Sequence, residues 1–363
     1  MRRNTNRKLV SRLAAALLLA ASAAILPAHA DDAPPTVVTV TSPLIPWIGT
    51  RDRALPGSID TMRQPEATLT DFRRFAEAFV AGDTETALGL QGKINYQITA
   101  AAFEGQTYFV AMDESGAGIG PTLVLNPAAT RELILEAPHA SFELGSGEQG
   151  ALLMARLGAR ATLIGGAHRC ASRTPSTCDG RTGVCGTLEA YRDSDAAHAI
   201  FSRFQVAHEV LVDAHPQAVV ISLHGKAVDT KGARTEVIAS NGIEKNSDPD
   251  HATAATQLRL ALADHFPRPG ALVSCNWPAD QSFDYRTLCG TTNIQGRYVN
   301  KDPDICSAGT TTGTGLFIHL EQDWPMLTPF HNNWPTIDDD TYFNALAAAL
   351  EKVERIKPVA ASD

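Results

Sequence analysis

Four short apolar runs, each ending beside a histidine or a carboxylate, place the strongest constraint on the fold of this chain. They cover residues 133–137, 161–164, 218–223 and 316–320, and helical patterns alternate with them along the sequence. Strands that alternate with helices favour a parallel sheet with helices packed on both faces. We therefore predict an α/β fold with three layers, α/β/α, around a mixed, mainly parallel sheet.

The side chains that end these runs are candidates for a functional site. His139, His168, His224 and Glu321 each follow an apolar, strand-like run. In parallel sheets, ligands collect beyond the carboxyl ends of the strands. The pattern thus predicts one polar site at this edge of the sheet.

The remaining elements form a single domain after an irregular N-terminal arm. The arm covers residues 31–66 and is rich in proline, and the α/β domain covers residues 67–363. Further strands are expected at 96–99, 107–112, 122–125 and 271–274. Helical regions are expected at 67–91, 147–157 with Ser146 as N-cap, 193–215, 250–265 and 340–356. A turn is expected at Gly82 and Asp83 within the first of them.

The first thirty residues have the three parts of a cleavable signal peptide. Five basic residues precede an apolar run over 13–26, and Pro27 is followed by the small–x–small site Ala28-His29-Ala30. A bilayer-spanning helix needs about 20 apolar residues, so this run is short for an anchor, which is the alternative interpretation. We expect a periplasmic or secreted protein without a membrane anchor after cleavage.

The charge of the chain argues against nucleic acid as a partner. The whole chain has a net charge of −9, and residues 1–30 contain five basic and no acidic residues, so cleavage leaves a charge of −14. A strongly acidic protein repels phosphate backbones and anionic membrane faces.

Six cysteines lie beyond the signal peptide, an even number in a chain expected to be exported. Their positions are 170, 178, 185, 275, 289 and 306, and their spacing lacks the Cys-x-x-Cys pattern of structural zinc sites. We expect three disulfides, with fifteen pairings open. Bridged cysteines also make a thiol nucleophile improbable.

Two histidines and a carboxylate at strand ends are the ligands of a catalytic zinc site. His139, Glu143 four residues later and His224 are the candidates, and Glu321 would be the general base. Each residue also has an ordinary interpretation, because a histidine after a strand is often only hydrogen-bonded. Glu143 could be solvated, and Glu321 could pair with an arginine.

A second polar cluster occurs at the start of the predicted helix 193–215. Asp195 and His198 are three residues apart and could orient a metal ligand or act as an acid. Alternatively, they only mark a helix start, where acidic groups are favourable. His208 and His215 are expected to have no chemical role. The chain has neither a Gly-x-Ser-x-Gly nor a His-Glu-x-x-His motif.

Five short segments resemble a family of exported bacterial proteins that are distant relatives of N-formylglutamate amidohydrolases and poly-γ-glutamate hydrolases. The family is in turn similar to the zinc carboxypeptidases, with a phosphorylase/hydrolase-like fold. The segments are Glu136-Ala137-Pro138-His139-x-x-x-Glu143, Gly166-Ala167-His168-Arg169-Cys170, Ser222-Leu223-His224-Gly225, Thr292-Asn293-Ile294-Gln295-Gly296-Arg297 and Phe317-Ile318-His319-Leu320-Glu321-Gln322.

The resemblance implies Zn²⁺ bound by His139, Glu143 and His224, with Glu321 as base. It implies that Arg297, beside Asn293, binds a substrate carboxylate, although a structural ion pair is an equal alternative for this arginine. His168 and Arg169 would contribute to the pocket, with Arg169 binding an anionic group. Carboxypeptidases have the carboxylate ligand three residues after the histidine, where this chain has Phe142, so Glu148 is an alternative ligand.

On this basis the domain 67–363 is expected to be a hydrolase-type catalytic domain. The expected reaction is zinc-dependent hydrolysis of an amide bond in a small carboxylate-bearing substrate: an acyl-amino acid, a γ-glutamyl peptide or a cell-wall peptide. An esterase or deacylase with the same zinc is a variant of this hypothesis. A non-catalytic periplasmic binding protein on the same fold is the alternative. The oligomeric state is not indicated by the sequence.

Overall fold

The computed structural model describes most of the chain after residue 50. The described residues are 38–40, 51, 53–228, 235–243, 248, 250, 252–280, 288–307, 309, 311, 313–332 and 340–359. The predicted signal peptide, residues 1–30, lies outside them, as does most of 31–50. Across the described ranges, no helix is long and apolar enough to cross a membrane.

A mixed sheet forms the centre of the molecule. In chain order the strands are β1 (Val38–Val40), β2 (Tyr96–Phe103), β3 (Gln106–Asp113), β4 (Thr122–Leu125), β5 (Leu133–Ala137), β6 (Ala161–Ile164), β7 (Arg181–Thr182), β8 (Glu189–Ala190), β9 (Val219–Lys226), β10 (Val237–Ser240), β11 (Leu272–Ser274) and β12 (Phe317–Asp323). Strands β7 and β8 form a separate small hairpin. The other strands are ordered β1-β2-β3-β4-β6-β5-β9-β12-β10-β11.

The four central strands of this sheet, β6, β5, β9 and β12, are parallel. Antiparallel pairs join β4 to β6 and β10 to β12 on either side of them. Parallel neighbours bring their carboxyl ends to one edge of the sheet, which is where the predicted site residues lie.

Helices cover both faces of the sheet. They are α1 (Glu66–Ala81), α2 (Thr84–Ile94), α3 (Ser146–Leu157), α4 (Arg203–Ala214), α5 (Ala254–Ala261), α6 (Ile294–Val299), α7 (Trp324–Asn332) and α8 (Thr341–Glu351). One hydrophobic core contains residues of α3, α5, α7 and α8, and a second contains residues of α1, α2, α4 and α6.

Successive side chains of the central strands point alternately into the two hydrophobic cores. Val219, Ile221 and Leu223 of β9 belong to the first core, whereas Val220 belongs to the second. Successive side chains of a strand point to opposite faces, so a strand that is apolar throughout is buried on both. The prediction of a three-layer α/β/α fold with a mixed, mostly parallel sheet is confirmed.

The predicted helix over 193–215 is wrong in its first half. Only a three-residue 3₁₀ turn, Ala196–His198, forms there, and α4 begins at Arg203 after the N-cap Ser202, whose side chain accepts a hydrogen bond from the amide of Gln205. The preceding segment makes tertiary contacts instead: Ser194 Oγ donates to the carbonyl of Arg169 at 2.9 Å. These contacts override the local helix-start pattern.

Smaller differences concern element ends. The helical region 67–91 is two helices, α1 and α2, separated at the predicted turn, where Gly82 adopts a left-handed conformation and Asp83 caps α2. The N-cap of α3 is Gly145 rather than Ser146. The strands β9 and β12 each continue for two residues beyond His224 and Glu321, so these two residues lie within the strands, near their carboxyl ends.

The six cysteines form three disulfides, as predicted. The pairs are Cys170–Cys185, Cys178–Cys306 and Cys275–Cys289. Cys170 follows β6, Cys178 and Cys185 flank β7, Cys275 follows β11, and Cys289 and Cys306 flank α6. Persistent disulfides indicate an oxidising environment outside the cytoplasm.

Candidate metal centre

Three adjacent strands deliver the principal residues of the site. His139 follows β5 after Pro138, whereas His224 and Glu321 belong to β9 and β12. In the parallel register of β9 and β12, Glu321 is the direct partner of His224. Residues two apart on a strand share a face, so Ser222 lies beside His224, and His319 lies beside Glu321.

A tight turn brings Glu143 to His139. The amides of Phe142 and Glu143 both donate to the carbonyl of His139, at 2.7 and 2.8 Å. The turn places Glu143 Oε1 3.0 Å from His139 Nδ1. The spacing of four residues therefore works here because one helical turn follows the strand.

The second oxygen of Glu143 reaches the neighbouring strand. Glu143 Oε2 lies 3.2 Å from His224 Nδ1 and accepts a hydrogen bond from the amide of Gly225 at 3.1 Å. A Cβ at 225 would lie 2.7 Å from Leu327 Cδ1, so glycine lets this leucine pack against the strand without being displaced. One carboxylate thus joins both histidines.

His139, Glu143 and His224 form a buried group that could bind a metal ion. One donor atom from each lies within 4.8 Å of the others, and the residues are 1%, 5% and 3% exposed. Zinc bonds to nitrogen and oxygen of about 2.0–2.1 Å put the donors of a tetrahedral shell about 3.3 Å apart. The observed separations, 3.0 Å from His139 Nδ1 to Glu143 Oε1 and 3.2 Å from His224 Nδ1 to Glu143 Oε2, are close to this value and involve one carboxylate oxygen each.

Glu148, the alternative carboxylate, is not part of this group. Its Oε1 lies 3.7 Å from Arg53 Nη2 and 3.9 Å from His331 Nδ1. It sits in the first turn of α3, directed to a separate basic cluster.

Hydrogen bonds to the far nitrogens orient both imidazoles. His139 Nε2 lies 2.7 Å from Asp195 Oδ1, and His224 Nε2 lies 2.9 Å from Ser222 Oγ. Such contacts commonly fix the tautomer and ring orientation of metal-binding histidines. Both Nδ1 atoms are left facing Glu143. Asp195 was predicted as a partner of this kind, and the structure brings it to His139.

Arg169 balances the carboxylates around His139. Its Nε and Nη2 donate to Asp195 Oδ2 at 3.0 and 2.6 Å, and its Nη1 lies 3.5 Å from Glu143 Oε1. Arg169 lines the cavity described below, but its charge is already matched by two buried anions.

The electrostatics keep the carboxylates ionised. Burial alone would raise the pKa of Glu143, but His139 and His224 hold this pKa well below its usual range. Burial likewise opposes ionisation of Asp195, and Arg169 and His139 reverse this, so its pKa is also depressed. Burial lowers the pKa of His224, although Glu143 acts in the opposite direction. Ionised Glu143 and neutral His224 are the protonation states that bind metal.

His139 differs from His224. Burial and Arg169 lower its pKa, but Asp195 and Glu143, one at each ring nitrogen, outweigh them, so the pKa is raised. A proton on this ring therefore competes with a metal ion for the same position.

A cavity of about 290 Å³ opens above the group. Of the predicted site residues, it is lined by His139, Arg169, His198, His224, Asn293 and Glu321. Glu321 is 8% exposed, and its Oε1 lies 3.2 Å from His319 Nε2. The cavity thus brings the two histidines of the possible metal site together with a carboxylate that belongs to a different strand.

Asn293 contributes an unused donor to this cavity. Its Oδ1 accepts from the amide of Gly296 and caps α6. Its buried Nδ2 has no hydrogen-bond partner among the described residues.

Arg297 and His168 lie elsewhere. The Arg297 guanidinium forms two hydrogen bonds to Asp179, at 2.7 and 3.2 Å, and donates to the carbonyls of Thr291 and Ile305. This is the structural ion pair that the sequence left open, and Arg297 does not line the cavity. His168 Nδ1 accepts from the amide of Cys170, and its ring contacts Phe142 edge-on.

Sequence reasoning did not identify His319 and Tyr191, which also line the cavity. His319 could have been found, because it stands two residues before Glu321 on a strand. Tyr191 gives no such signal. Its ring stacks on His198 at 3.4 Å, and His198 Nδ1 donates to the carbonyl of Thr292 at 2.9 Å. Burial lowers the pKa of His198 to about 3, so this ring is neutral.

His208 and His215 lie outside the cavity lining. His208 pairs with Glu136 in the interior, 2.7 Å away, and burial lowers the pKa of His215 to about 4.

Comparisons of the chain with family models, with curated proteins and with solved structures found no match.

Proposed function

We propose that this protein is an exported, zinc-dependent hydrolase of amide bonds in carboxylate-bearing substrates, such as acyl-amino acids, γ-glutamyl peptides or cell-wall peptides. The observation that carries the proposal is the buried group of His139, Glu143 and His224, whose two histidines line one cavity with Glu321. A kinship with N-formylglutamate amidohydrolases and poly-γ-glutamate hydrolases is part of the proposal and is supported by the motifs in the sequence.

The donor set supports zinc. Two imidazoles and one carboxylate are the protein ligands of many catalytic zinc sites. A zinc ion supplies Lewis-acid polarisation of the scissile carbonyl and lowers the pKa of water to about 7. His139, Glu143 and His224 would bind it, and Asp195 and Ser222 would hold the two imidazoles in place.

Glu321 is the proposed general base. It accepts the proton of the attacking water and then delivers it to the leaving amine. His319, in contact with one carboxylate oxygen, positions Glu321. Nδ2 of Asn293 offers a hydrogen bond to a substrate carbonyl or carboxylate.

The compartment follows from the disulfides and from the signal-peptide pattern together. Three disulfides require an oxidising environment for their formation, and residues 1–30 match a cleavable signal. We propose a periplasmic or secreted location.

The decisive experiment combines metal analysis with turnover. Protein purified without chelators should contain one zinc per chain by mass spectrometry and should hydrolyse members of a panel of N-acyl amino acids and γ-glutamyl peptides. His224→Ala should lose the zinc, whereas His265→Ala, at an exposed histidine, should keep it. Glu321→Gln should keep zinc and lose about 10²–10⁴-fold in kcat.

Two results would contradict the proposal. A His224→Ala protein with a full complement of zinc would remove the metal assignment. A metal-containing wild-type protein that binds panel members but turns none over would favour the non-catalytic binding protein.

A further inference from the structure

A small disulfide-bonded hairpin, residues 178–192, forms one wall of the cavity. It contains β7 and β8, and its residues Gly180, Arg181, Thr182 and Val184 line the cavity. No feature of the sequence pointed to these residues.

The hairpin is held rigidly at several points. Cys178 is bonded to Cys306, and Cys185, near the tip, is bonded to Cys170. At its base, Arg192 donates to Glu189 and to the carbonyls of Cys170 and Ser172. A residue on this wall therefore has a fixed position relative to the metal-binding group.

Gly180 lets the hairpin pack closely on the rest of the cavity wall. Its φ is +104°, and a Cβ there would lie 2.3 Å from the ring of Tyr191. The backbone that carries the next residue, Arg181, is therefore packed against the cavity wall at Gly180.

Arg181 is the cavity arginine whose charge no described residue matches. Arg169 faces Asp195 and Glu143. Arg181 makes no ion pair with any described residue, and Nη2 donates to the carbonyl of Leu188 at 2.9 Å. A guanidinium has five N–H donors, so most of its fork remains available.

We propose that Arg181 binds the substrate carboxylate, the role that the sequence suggested for Arg297. The inference rests on the proposed function and refines it. Arg181 is exposed, so the carboxylate it binds lies at the mouth of the cavity, away from the buried metal-binding group. The substrate class is an amide whose free carboxylate reaches the solvent side, with Val184 beside it as an apolar contact. A planar guanidinium suits this recognition because it binds carboxylate through two parallel hydrogen bonds.

The test compares probes that differ only in this charge. N-acetyl-L-alanine and N-acetyl-L-alaninamide are titrated against zinc-loaded protein and followed by NMR. The wild-type protein should prefer the carboxylate by about two- to fivefold, because an ion pair at an exposed position is partly screened by solvent. Arg181→Gln should abolish the preference, and Arg181→Lys should retain a part of it.

A matched control is Arg173→Gln, which removes the same charge from an exposed position that does not line the cavity. It should bind both probes as the wild type does, and all three variants should keep their zinc. The proposal is overturned if the wild-type protein has no preference, if Arg181→Gln retains it, or if Arg181→Gln loses zinc. Should the wild type lack zinc and turnover while an Arg181-dependent preference persists, the proposed hydrolase function fails and the carboxylate site stands.

Discussion

Replacing Asp195 with asparagine removes one negative charge beneath the metal-binding group and preserves the size of the side chain. Asp195 uses both oxygens: Oδ1 contacts His139 Nε2 at 2.7 Å, and Oδ2 accepts from Arg169 at 2.6 and 3.0 Å. Both neighbours are donors, and an asparagine has only one acceptor oxygen. Its NH₂ group must therefore face a donor on one side.

The charged arginine makes the stronger hydrogen bonds and should take the oxygen. The NH₂ group then faces His139 Nε2, and the ring moves its proton to Nδ1 so that Nε2 can accept the hydrogen bond. That atom faces Glu143 at 3.0 Å and is the proposed ligand atom. Arg169, with one partner weakened, would also compete with the metal for Glu143.

Loss of such an orienting partner typically lowers metal affinity by about 10- to 100-fold. Each tenfold corresponds to about 1.4 kcal/mol, so Asp195→Asn should cost about 1.4–2.8 kcal/mol of binding free energy. The dissociation constant for zinc is measured by competition with a chromophoric chelator, and circular dichroism confirms that the variant is folded.

Asp193→Asn is the matched control. This buried aspartate lies two residues away, accepts hydrogen bonds from Thr61 and from the amide of Arg63, and touches neither histidine nor metal-binding carboxylate. Its zinc affinity should equal that of the wild type. If folded Asp195→Asn binds zinc as tightly as the wild type, Asp195 does not orient His139.

Three further predictions concern the ligand set, a disulfide and the pH dependence of folding. Glu143→Gln should lose zinc while Glu148→Gln keeps it, by mass spectrometry; the reverse would exchange the two roles. Replacing Cys178 and Cys306 by serine opens a crosslink between residues 128 apart and should cost about 5 kcal/mol in denaturant unfolding, and a loss under about 1 kcal/mol would contradict this. His198 has a pKa of about 3 when folded and about 6.5 when unfolded, so the unfolded chain binds more protons between these values and stability falls as the pH drops through them, by up to about 5 kcal/mol. His198→Asn, which can keep the bond to the carbonyl of Thr292, should flatten this slope, and an unchanged slope would refute the explanation.

The central strands could be predicted because their local signals agree with their tertiary environment. Residues 133–137 are apolar throughout and stop at Pro138, and residues 161–164 stop at a pair of glycines, so both ends are marked in the sequence. A strand buried on both faces needs no information from its neighbours to be recognised. His139 was predicted from the first of these strand ends and His224 from the end of the run 218–223, whereas Glu143 was predicted from its spacing to His139.

The conformation of the segment 193–202 could not be predicted, since its polar residues are engaged by distant parts of the chain. Asp195 and Ser194 look like helix-start residues, yet their partners are His139 and Arg169. Groups that would cap a helix are used to hold the metal-binding group instead. The local preference for a helix is overridden here, because a buried charged side chain must be paired with a hydrogen-bonding partner.

The two arginines show why residue type alone does not identify a substrate contact. Arg297 is 2% exposed, and a buried cation is stable only with partners inside the protein. Those partners are Asp179 and the carbonyl of Ile305, which are the sequence neighbours of Cys178 and Cys306. The disulfide between these cysteines therefore holds together the binding site of this guanidinium, although the two segments are more than a hundred residues apart. A substrate carboxylate would have to displace them. Arg181, three residues after Cys178, lies outside this binding site and has most of its N–H donors free. This is the reason for assigning the substrate carboxylate to Arg181.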